Sequence, residues 1–456
     1  MSSEPFRPRL HFSPATGWLN DPNGLIFVDG VWHVFYQHHP HSTLWGPMHW
    51  GHASSRDLVN WTHLPIALKP DTLGTCFSGS AVATPEGEIK LFYTAHQTAL
   101  DGSDFQVQCL VHADHELTSF AGDERNPVVD NPGLSAFRDP KVFWHEPTRR
   151  WIMVVTHGQS IGIRSSSDLV NWALESEFGD RDGRHGNGPW ECPDLFPLQA
   201  ADGTTHWILL VGIGSDSYGG GSGTQYFIGD FDGHRFANGN SSDTVLWADY
   251  GRDYYAAQSF HGAPRPTTMA WASNWQYARE TPTRSFRGVL SLPRELGIAD
   301  TPSGMRLVQG VPPHLASTFD TLPPAGVPKT GTYHFRLEIS EEPQVAVCLF
   351  GEAEPQFTLH RVVTGWHLRT VRRDKSRIGA SFAHDYVLGI SGSITHIDFY
   401  VDNGLVELRS SDGLVWLTSL YFPEDVAGAV RVEPTRTTIV NAQPRSGSSQ
   451  VRMLQN

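Results

Sequence analysis

Residues 54–64 read SSRDLVNWTHL, and residues 165–175 read SSSDLVNWALE. The shared Asp-Leu-Val-Asn-Trp recurs after 111 positions, from Asp57 to Asp168. Such a return marks a repeated supersecondary unit, with Trp61 and Trp172 as packing anchors of an edge turn. At about half that interval a second feature recurs, a polar or acidic residue set among apolar neighbours. It falls at Asp21 in NDPNG, Phe77-Ser78 in CFSGSAV, Asp139 in FRDPK, Glu191 in WECPD and Asp253 in GRDYYAAQ, in steps of 56, 62, 52 and 62 residues. Five units of that size predict a five-bladed β-propeller, each blade a meander of four short strands.

The intervals between these clusters carry strand patterns. GLIFVDGVWHVFYQ (24–37) reads as a hairpin turning at Asp29-Gly30, and KLFYTAH, KVFWHEPTRRWIMVVTH and HWILLVGIG continue the theme. At DTLPPAGVPKTG (320–331) the texture becomes rich in Pro and Gly, as in a linker. Beyond it, THIDFYVDNGLVELRSSDGLVWLTSLYF (395–422) alternates apolar and polar residues, with turns at Asp402-Asn403-Gly404 and Asp412-Gly413. That is the pattern of an antiparallel sandwich. The expected organisation is an all-β chain: a propeller over 1–320 that carries the chemistry, a linker over 321–331, and a structural β-sandwich over 332–456.

Bulk properties agree with this and narrow the partners. At 456 residues the chain exceeds one ordinary core, and its 15 tryptophans and 44 glycines suit short strands and tight turns. The net charge of −14 and the lack of a basic tract argue against nucleic acid or an anionic membrane as partner. The opening MSSEPFRPRLHFSP has neither the charged nor the apolar region of a signal peptide, and no run reaches the length of a membrane span. Cys76, Cys109, Cys192 and Cys348 are scattered, without the spacing of a disulfide framework or zinc knuckle, so a cytoplasmic location is expected. Oligomeric state is left open by the sequence.

If the five clusters occupy equivalent places on innermost strands, their side chains converge on one axial funnel. Asn-Asp-Pro-Asn-Gly is turn chemistry, because Asn and Asp cap their own backbone, Pro fixes φ and Gly accepts positive φ. A turn presenting Asp21 is therefore expected. Asp139 before Pro140 reads on its own first as an Asx turn, and only the family resemblance given below reverses that order. Paired carboxylates in a sugar-sized pocket are the equipment of glycoside cleavage, one attacking or activating water and the other protonating the departing oxygen. Trp18, Trp45, Phe77, Trp190 and Trp271 could wall such a pocket. The two acids need opposite environments: the turn's hydrogen bonds are expected to keep Asp21 ionised, and the apolar setting of Trp190 and Cys192 to desolvate Glu191. His38, His39, His41, His49 and His52 carry two His-x-x-His spacings. In strands residues three apart point to opposite faces, and no carboxylate or cysteine completes a ligand set, so neither metal nor cofactor is expected.

Taken together, HFSPATGWLNDPNG, FYQHHP, WGPMHWGHA, FSGSAV, FRDPK, WECPD, DYYAAQ, WASNWQY and LPREL, in that order from residue 9 to about 297, resemble glycoside hydrolase family 32, the invertase, inulinase and levanase group. FYVDNGLVEL resembles that family's C-terminal sandwich. The resemblance implies a five-bladed propeller and a retaining β-fructofuranosidase that releases terminal fructose from sucrose, fructo-oligosaccharides or fructans. By matching positions it implies Asp21 as nucleophile, Glu191 as acid/base, and Asp139, beside Arg138, as a transition-state stabiliser binding fructose hydroxyls. It further implies a fructose pocket lined by Asn20, Gln37, Trp45, Phe77, Ser78, Arg138, Asp253 and Trp271. Fructosyl transfer on the same scaffold, a sugar-binding propeller without catalysis, and a related scaffold acting on arabinose polymers are the alternatives. Intact carboxylates weigh against the second and the sucrose-box resemblance against the third. Sucrose phosphate is disfavoured because no basic cluster accompanies the motifs, and the choice among sucrose, inulin and levan lies in loops beyond the fructose pocket.

Overall fold

A computed structural model describes residues 4–98, 101–323, 325–339, 342–374, 378–392, 394–434 and 439–440. Its first 310 residues form five antiparallel meanders. Blade 1 comprises Gly17–Val28, Val31–His39, His49–Ser55 and Trp61–Leu68; blade 2 comprises Thr75–Ala83, Ile89–Thr98, Asp104–Ala113 and Phe120–Gly122. Blade 3 is Lys141–His145, Arg150–His157, Ser160–Ser166 and Ala173–Phe178. Blade 4 is Trp190–Gln199, Thr205–Ile213, Gly223–Phe231 and Phe236–Asn238, and blade 5 is Tyr255–Ser259, Thr267–Trp271, Arg294–Thr301 and Gly304–Gly310. The first strand of each blade packs against the first strand of the next, and that of blade 5 against that of blade 1. A ring of five innermost strands is a closed five-bladed propeller, whose sheet edges at the axis are short and protected by one another.

The closure is built from backbone. Phe286–Arg287 runs parallel to Gly17-Trp18, and Ile26 bridges His261. Leu290 N donates to Phe12 O at 2.9 Å, tying the N-terminal stretch to blade 5.

The repeated Asp-Leu-Val-Asn-Trp is the turn between third and fourth strands. In blade 1, Asp57 Oδ1 accepts the backbone N–H groups of Val59 and Asn60 at 3.0 and 2.7 Å, with Leu58 at φ 60°. In blade 3, Asp168 repeats this with Val170 and Asn171 at 3.0 and 2.8 Å, with Leu169 at φ 66°. Blade 2 makes a longer version around Asp114, and blade 4 a shorter one around Asp232, with different neighbours. The repeat was visible in sequence only where its side chains were identical.

One expectation is corrected here. Asn20–Gly24 is not a reversing turn; it lies inside the strand Gly17–Val28, whose pairing with Val31–His39 slips between Leu19 and Pro22 and again between Asn23 and Ile26. These are β-bulges, the places in a sheet where Pro and a left-handed residue fit. Gly24 sits at φ 49°, and a Cβ there would meet Phe35 and Trp50 at 2.9 Å. The reversing turn comes later, at Asp29-Gly30, where both φ angles are positive, as a two-residue hairpin requires.

The second unit packs two sheets face to face. One contains Asp320–Thr321, Thr332–Glu338, His396–Asp402, Leu405–Ser410 and Trp416–Leu420, joined by Ile439–Val440; the other contains His384–Ser391, Gly365–Arg372, Phe357–Val362, Gln344–Cys348 and Arg431–Glu433. Its core is the inward face of both, including Phe335, Val347, Phe357, Leu368, Phe399 and Leu417. Asp320–Thr321 already pairs with this unit's Thr332–Glu338. The sequence reading carries the sandwich to residue 456, of which 441–456 lie outside the described residues.

Candidate active site

The innermost strands share a feature that composition does not announce: four of the five carry a pairing irregularity at or beside the position picked out by the repeat. The slips fall at Leu19/Pro22, Cys76/Gly79, Glu191/Asp194 and Tyr255/Gln258, with Cys192 at φ 49° and Ala256 at φ 55°. In blade 3 the equivalent place is Asp139, φ 64°, just before the strand begins. A bulge adds a residue and re-aims a side chain, so in blades 1, 2 and 4 the same device turns polar groups toward the axis.

There they enclose a cavity of about 460 Å³, lined by Asn20, Asp21, Gln37, Trp45, Phe77, Ser78, His96, Thr98, Asp104, Gln106, Arg138, Asp139, Glu191, Trp275 and Arg279. That suits one or two sugar rings better than a folded polymer. Asp21 Oδ2 accepts from Ser78 Oγ at 2.7 Å and from the Cys192 thiol at 3.6 Å, while its Oδ1 takes no hydrogen bond from the protein. Asp139 Oδ2 accepts the backbone N–H of Cys192 at 2.9 Å and also lies 3.6 Å from that sulfur. One small buried side chain thus separates the two aspartates. Glu191 Oε1 accepts from Arg138 Nη2 at 2.8 Å and Nε at 3.2 Å, and its Oε2 accepts from the Tyr255 hydroxyl.

The electrostatics depart from the simple expectation of an ionised Asp21 and a sealed Glu191. Burial pushes the Asp21 carboxyl up, the hydrogen bond from Ser78 pulls against it, and the charge of Glu191 adds to the rise. Asp139 is driven up to about 7, first by burial, with Arg138 opposing and the charges of Glu191 and Asp21 reinforcing. Asp21 and Asp139, buried side by side, each disfavour the other's charge. The Glu191 side chain remains 22% exposed and bound to Arg138, so Trp190 and Cys192 do not seal it off. Burial, with the nearby carboxylates, also holds the Cys192 thiol well above its ordinary value, which makes it a filler and not a nucleophile.

Most of the residues expected in the pocket line it: Asn20, Gln37, Trp45, Phe77, Ser78 and Arg138 all do. Asn20 accepts from Trp18 Nε1 at 2.7 Å, Gln37 donates to Cys76 O at 2.9 Å, and Phe77 stacks on His96 with ring centroids 4.0 Å apart. Two do not. Asp253 is fully buried behind the cavity, where Arg372 of the sandwich pairs with it at 2.7 Å and the Tyr277 hydroxyl and Leu420 N donate to it. It precedes the innermost strand of blade 5 and sits at the domain junction, so it is a structural anchor. Trp271 is fully buried against Trp18 and Trp275, and Trp275, four residues on in the same WASNWQY stretch, lines the wall in its place.

Sequence reasoning missed Gln106, the His96–Asp104 pair, with His96 Nε2 2.9 Å from Asp104 Oδ1, and Arg279, which faces the Trp45 ring. None of these sits at a blade-interval position, although His96 ends the KLFYTAH run that reads as a strand. It also missed the ring's buried ion pair, where Lys141 of blade 3 reaches Asp194 of blade 4 at 3.0 Å and Ser259 O of blade 5 at 2.8 Å. Among the described residues no group of three or more His, Cys, Asp or Glu is arranged to hold a metal ion, and no helix is long and apolar enough to cross a membrane.

Comparison with known proteins adds to this geometry. Residues 11–310 match the family model described as the glycosyl hydrolases family 32 N-terminal domain. The chain is 46% identical over 321 residues to a levanase of Bacillus subtilis strain 168, covering 67% of this chain and 47% of that protein. It is 32% identical over 503 residues to the extracellular exo-inulinase of Aspergillus awamori, covering 95% and 93%. The chain spans about half the length of the bacterial levanases it matches. Among solved structures, the Aspergillus awamori exo-inulinase superposes with a TM-score of 0.83 at 28% identity over 97% of this chain and 98% of that one. The Schwanniomyces occidentalis fructofuranosidase complexed with fructose superposes at 0.81, with 27% identity over 95% and 96%. Both share the propeller-plus-sandwich architecture.

Proposed function

The chain belongs to glycoside hydrolase family 32, and on that premise we propose that it hydrolyses terminal β-D-fructofuranosyl residues from sucrose, fructo-oligosaccharides or fructans with retention of configuration. The observation that carries this is the meeting of Asp21, Asp139 and Glu191 in one cavity, with Arg138 beside Asp139 and Glu191 and the Cys192 side chain between Asp139 and Asp21. Relatives named levanase, exo-inulinase and fructofuranosidase, one of them solved with fructose, support the substrate class.

In this reading a terminal fructose enters with its anomeric C2 toward the Asp21 carboxylate, which lines the cavity. A carboxylate oxygen of Asp21 attacks C2 while Glu191, protonated, delivers its proton to the departing oxygen, and a fructosyl ester forms on Asp21. Water then attacks the same carbon as Glu191 takes the proton back. Asp139 accepts hydrogen bonds from fructose hydroxyls, which strengthen as the ring gains oxocarbenium character. Arg138 holds Glu191 toward the cavity between the two proton transfers. The aromatic wall of Trp45, Phe77 and Trp275 excludes water from the sugar's apolar edges.

Product analysis on sucrose, inulin and levan tests the reaction type. Glucose and fructose in equal amounts from sucrose, and free fructose from the polymers, are expected. Excess glucose with new oligosaccharides would instead assign fructosyl transfer.

A further inference from the structure

The stretch from Ala136 to Pro140 belongs to no sheet, yet it is buried apart from the half-buried Arg138 and must place two site residues, Arg138 and Asp139. Buried backbone amides outside regular structure need other partners. Blade 2 supplies them from side chains. Gln106 Oε1 accepts the backbone N–H of Phe137 at 2.8 Å and also Arg138 Nη1 at 3.3 Å. Gln108 Nε2 donates to Phe137 O at 2.8 Å, and Gln108 Oε1 accepts from Thr94 Oγ1 at 2.8 Å. Thr94 Oγ1 in turn accepts the backbone N–H of Asp139 at 2.9 Å. Thr94 and Gln108 are wholly buried, and neither lines the cavity.

The peptide that Thr94 holds is that of the residue with φ 64°, a left-handed conformation that a non-glycine residue keeps only when its surroundings fix it. Gln108 orients Thr94: with its Oε1 taking the Thr94 hydrogen, the hydroxyl oxygen is left to accept from Asp139. On the other side of the stretch, Thr156 N donates to Arg138 O at 2.9 Å and Thr156 Oγ1 to Trp190 O at 2.8 Å, which links it to the strand carrying Glu191.

We propose that Thr94 and Gln108 are positioning residues for the reaction, a two-residue hydrogen-bond relay from blade 2 that fixes the left-handed backbone at Asp139 and so aims its carboxylate into the pocket. The inference rests on the proposed function, because it gives Asp139 its purpose. Their hydrogen bonds reach the Asp139 N–H and the Phe137 carbonyl, and neither side chain touches Glu191 or the Arg138 guanidinium that holds it.

Thr94→Val keeps the shape and removes both hydrogen bonds, and Gln108→Met breaks the relay one step back. Each is expected to lower kcat between about tenfold and a hundredfold, the cost of a small misplacement of a reacting group, with KM changed much less. Sucrose and an activated aryl fructoside should lose equally, since Asp139 acts on the fructosyl unit and not on the leaving group. Thr94→Ser should restore most of the rate. In an Asp139→Asn background, Thr94→Val should cost less than about twofold more, because residues acting through one group are not additive. Full additivity there, or a loss confined to poor leaving groups, would overturn the proposal. So would near wild-type kcat in folded Thr94→Val, or failure of both variants to fold, which would make the relay purely structural. Were Asp139→Asn itself to retain wild-type turnover, the functional reading of Asp139 would fall, a result distinct from all of these.

Discussion

Glu191 has both carboxylate oxygens engaged, one by the Arg138 guanidinium and the other by the Tyr255 hydroxyl. Neither neighbour could be named from WECPD, because Arg138 comes from another blade and Tyr255 from a third. If Glu191 is the acid/base, Glu191→Ala should cripple sucrose, whose leaving group needs a proton, by about a thousandfold, and spare activated fructosides in their first step. Azide should then restore turnover by replacing the base-assisted water. Steady-state rates on good and poor leaving groups, with and without azide, check this; equal loss on both without rescue would move the role elsewhere. At this scale the sequence showed which residues matter more reliably than where they point. Asp21, Ser78, Arg138, Asp139 and Glu191 converge as expected. Asp253 sat at the right interval and in a matching motif, but its partner Arg372 is 119 residues away, so nothing local could reveal that its carboxylate faces the sandwich. Trp271 and Trp275 share one motif, and only packing decides which of the two rings faces the cavity.

Elements were legible where geometry is local. Asp29-Gly30 and Asn403-Gly404 are two-residue turns because Asp or Asn followed by Gly accepts positive φ at both positions, and both close the expected hairpins. The bulges were not legible, since Asn, Asp, Pro and Gly serve a bulge inside a strand as well as a turn outside one; deciding between them requires knowing the partner strand's register. Ring closure was equally hidden, because Phe286–Arg287 is too short a strand to carry a pattern. It makes a sharp prediction through Gly288. This residue lies at φ 94°, and a Cβ built on it would stand 1.9 Å from Leu19 O, a backbone atom of the strand that bears Asp21. Gly288→Ala should therefore destabilise by roughly 3 kcal/mol, from overlap and left-handed strain together. Gly297→Ala, where a Cβ meets nothing within 4 Å, should be near neutral. Urea unfolding of the two variants side by side makes the comparison, and equal midpoints would refute the closure account.

At the scale of the molecule, the sandwich is joined to the propeller by buried charge. His11 lies between Asp402 Oδ2 at 2.9 Å and Glu407 Oε1 at 3.3 Å; Glu407 and Asp249 share Arg294 at 2.6 and 2.8 Å. Arg294 is sandwiched between the rings of Tyr254 and Trp416 at 4.1 and 4.0 Å. The sandwich was read from sequence as structural, but this junction was invisible because its members are spread from residue 11 to residue 407. It predicts a pH dependence. Burial opposes the charge on His11, yet the hydrogen bonds and charges of Asp402 and Glu407 outweigh it and raise the imidazole to about 9. A raised histidine binds its proton more tightly when folded, so its contribution is complete below the unfolded value of about 6.5 and is lost as pH rises through about 9. The size is on the order of 3 kcal/mol. Urea midpoints of wild type and His11→Asn should differ most at pH 6.5 and converge by about pH 9.5; a gap independent of pH would mean that His11 is not charged in the folded protein.

The central claim is that Asp21 forms a covalent bond to fructose, and the mass of the protein during turnover tests it most directly. Glu191→Ala, given an activated aryl fructoside, should complete the first step and stall before the second, because no base activates the water. Acid-quenched samples should then show the intact protein heavier by one fructosyl unit, and proteolysis should place that unit on the peptide containing Asp21. Steady release of the aryl group with no adduct at any time, or an adduct mapped to Asp139 or another residue, would contradict the account.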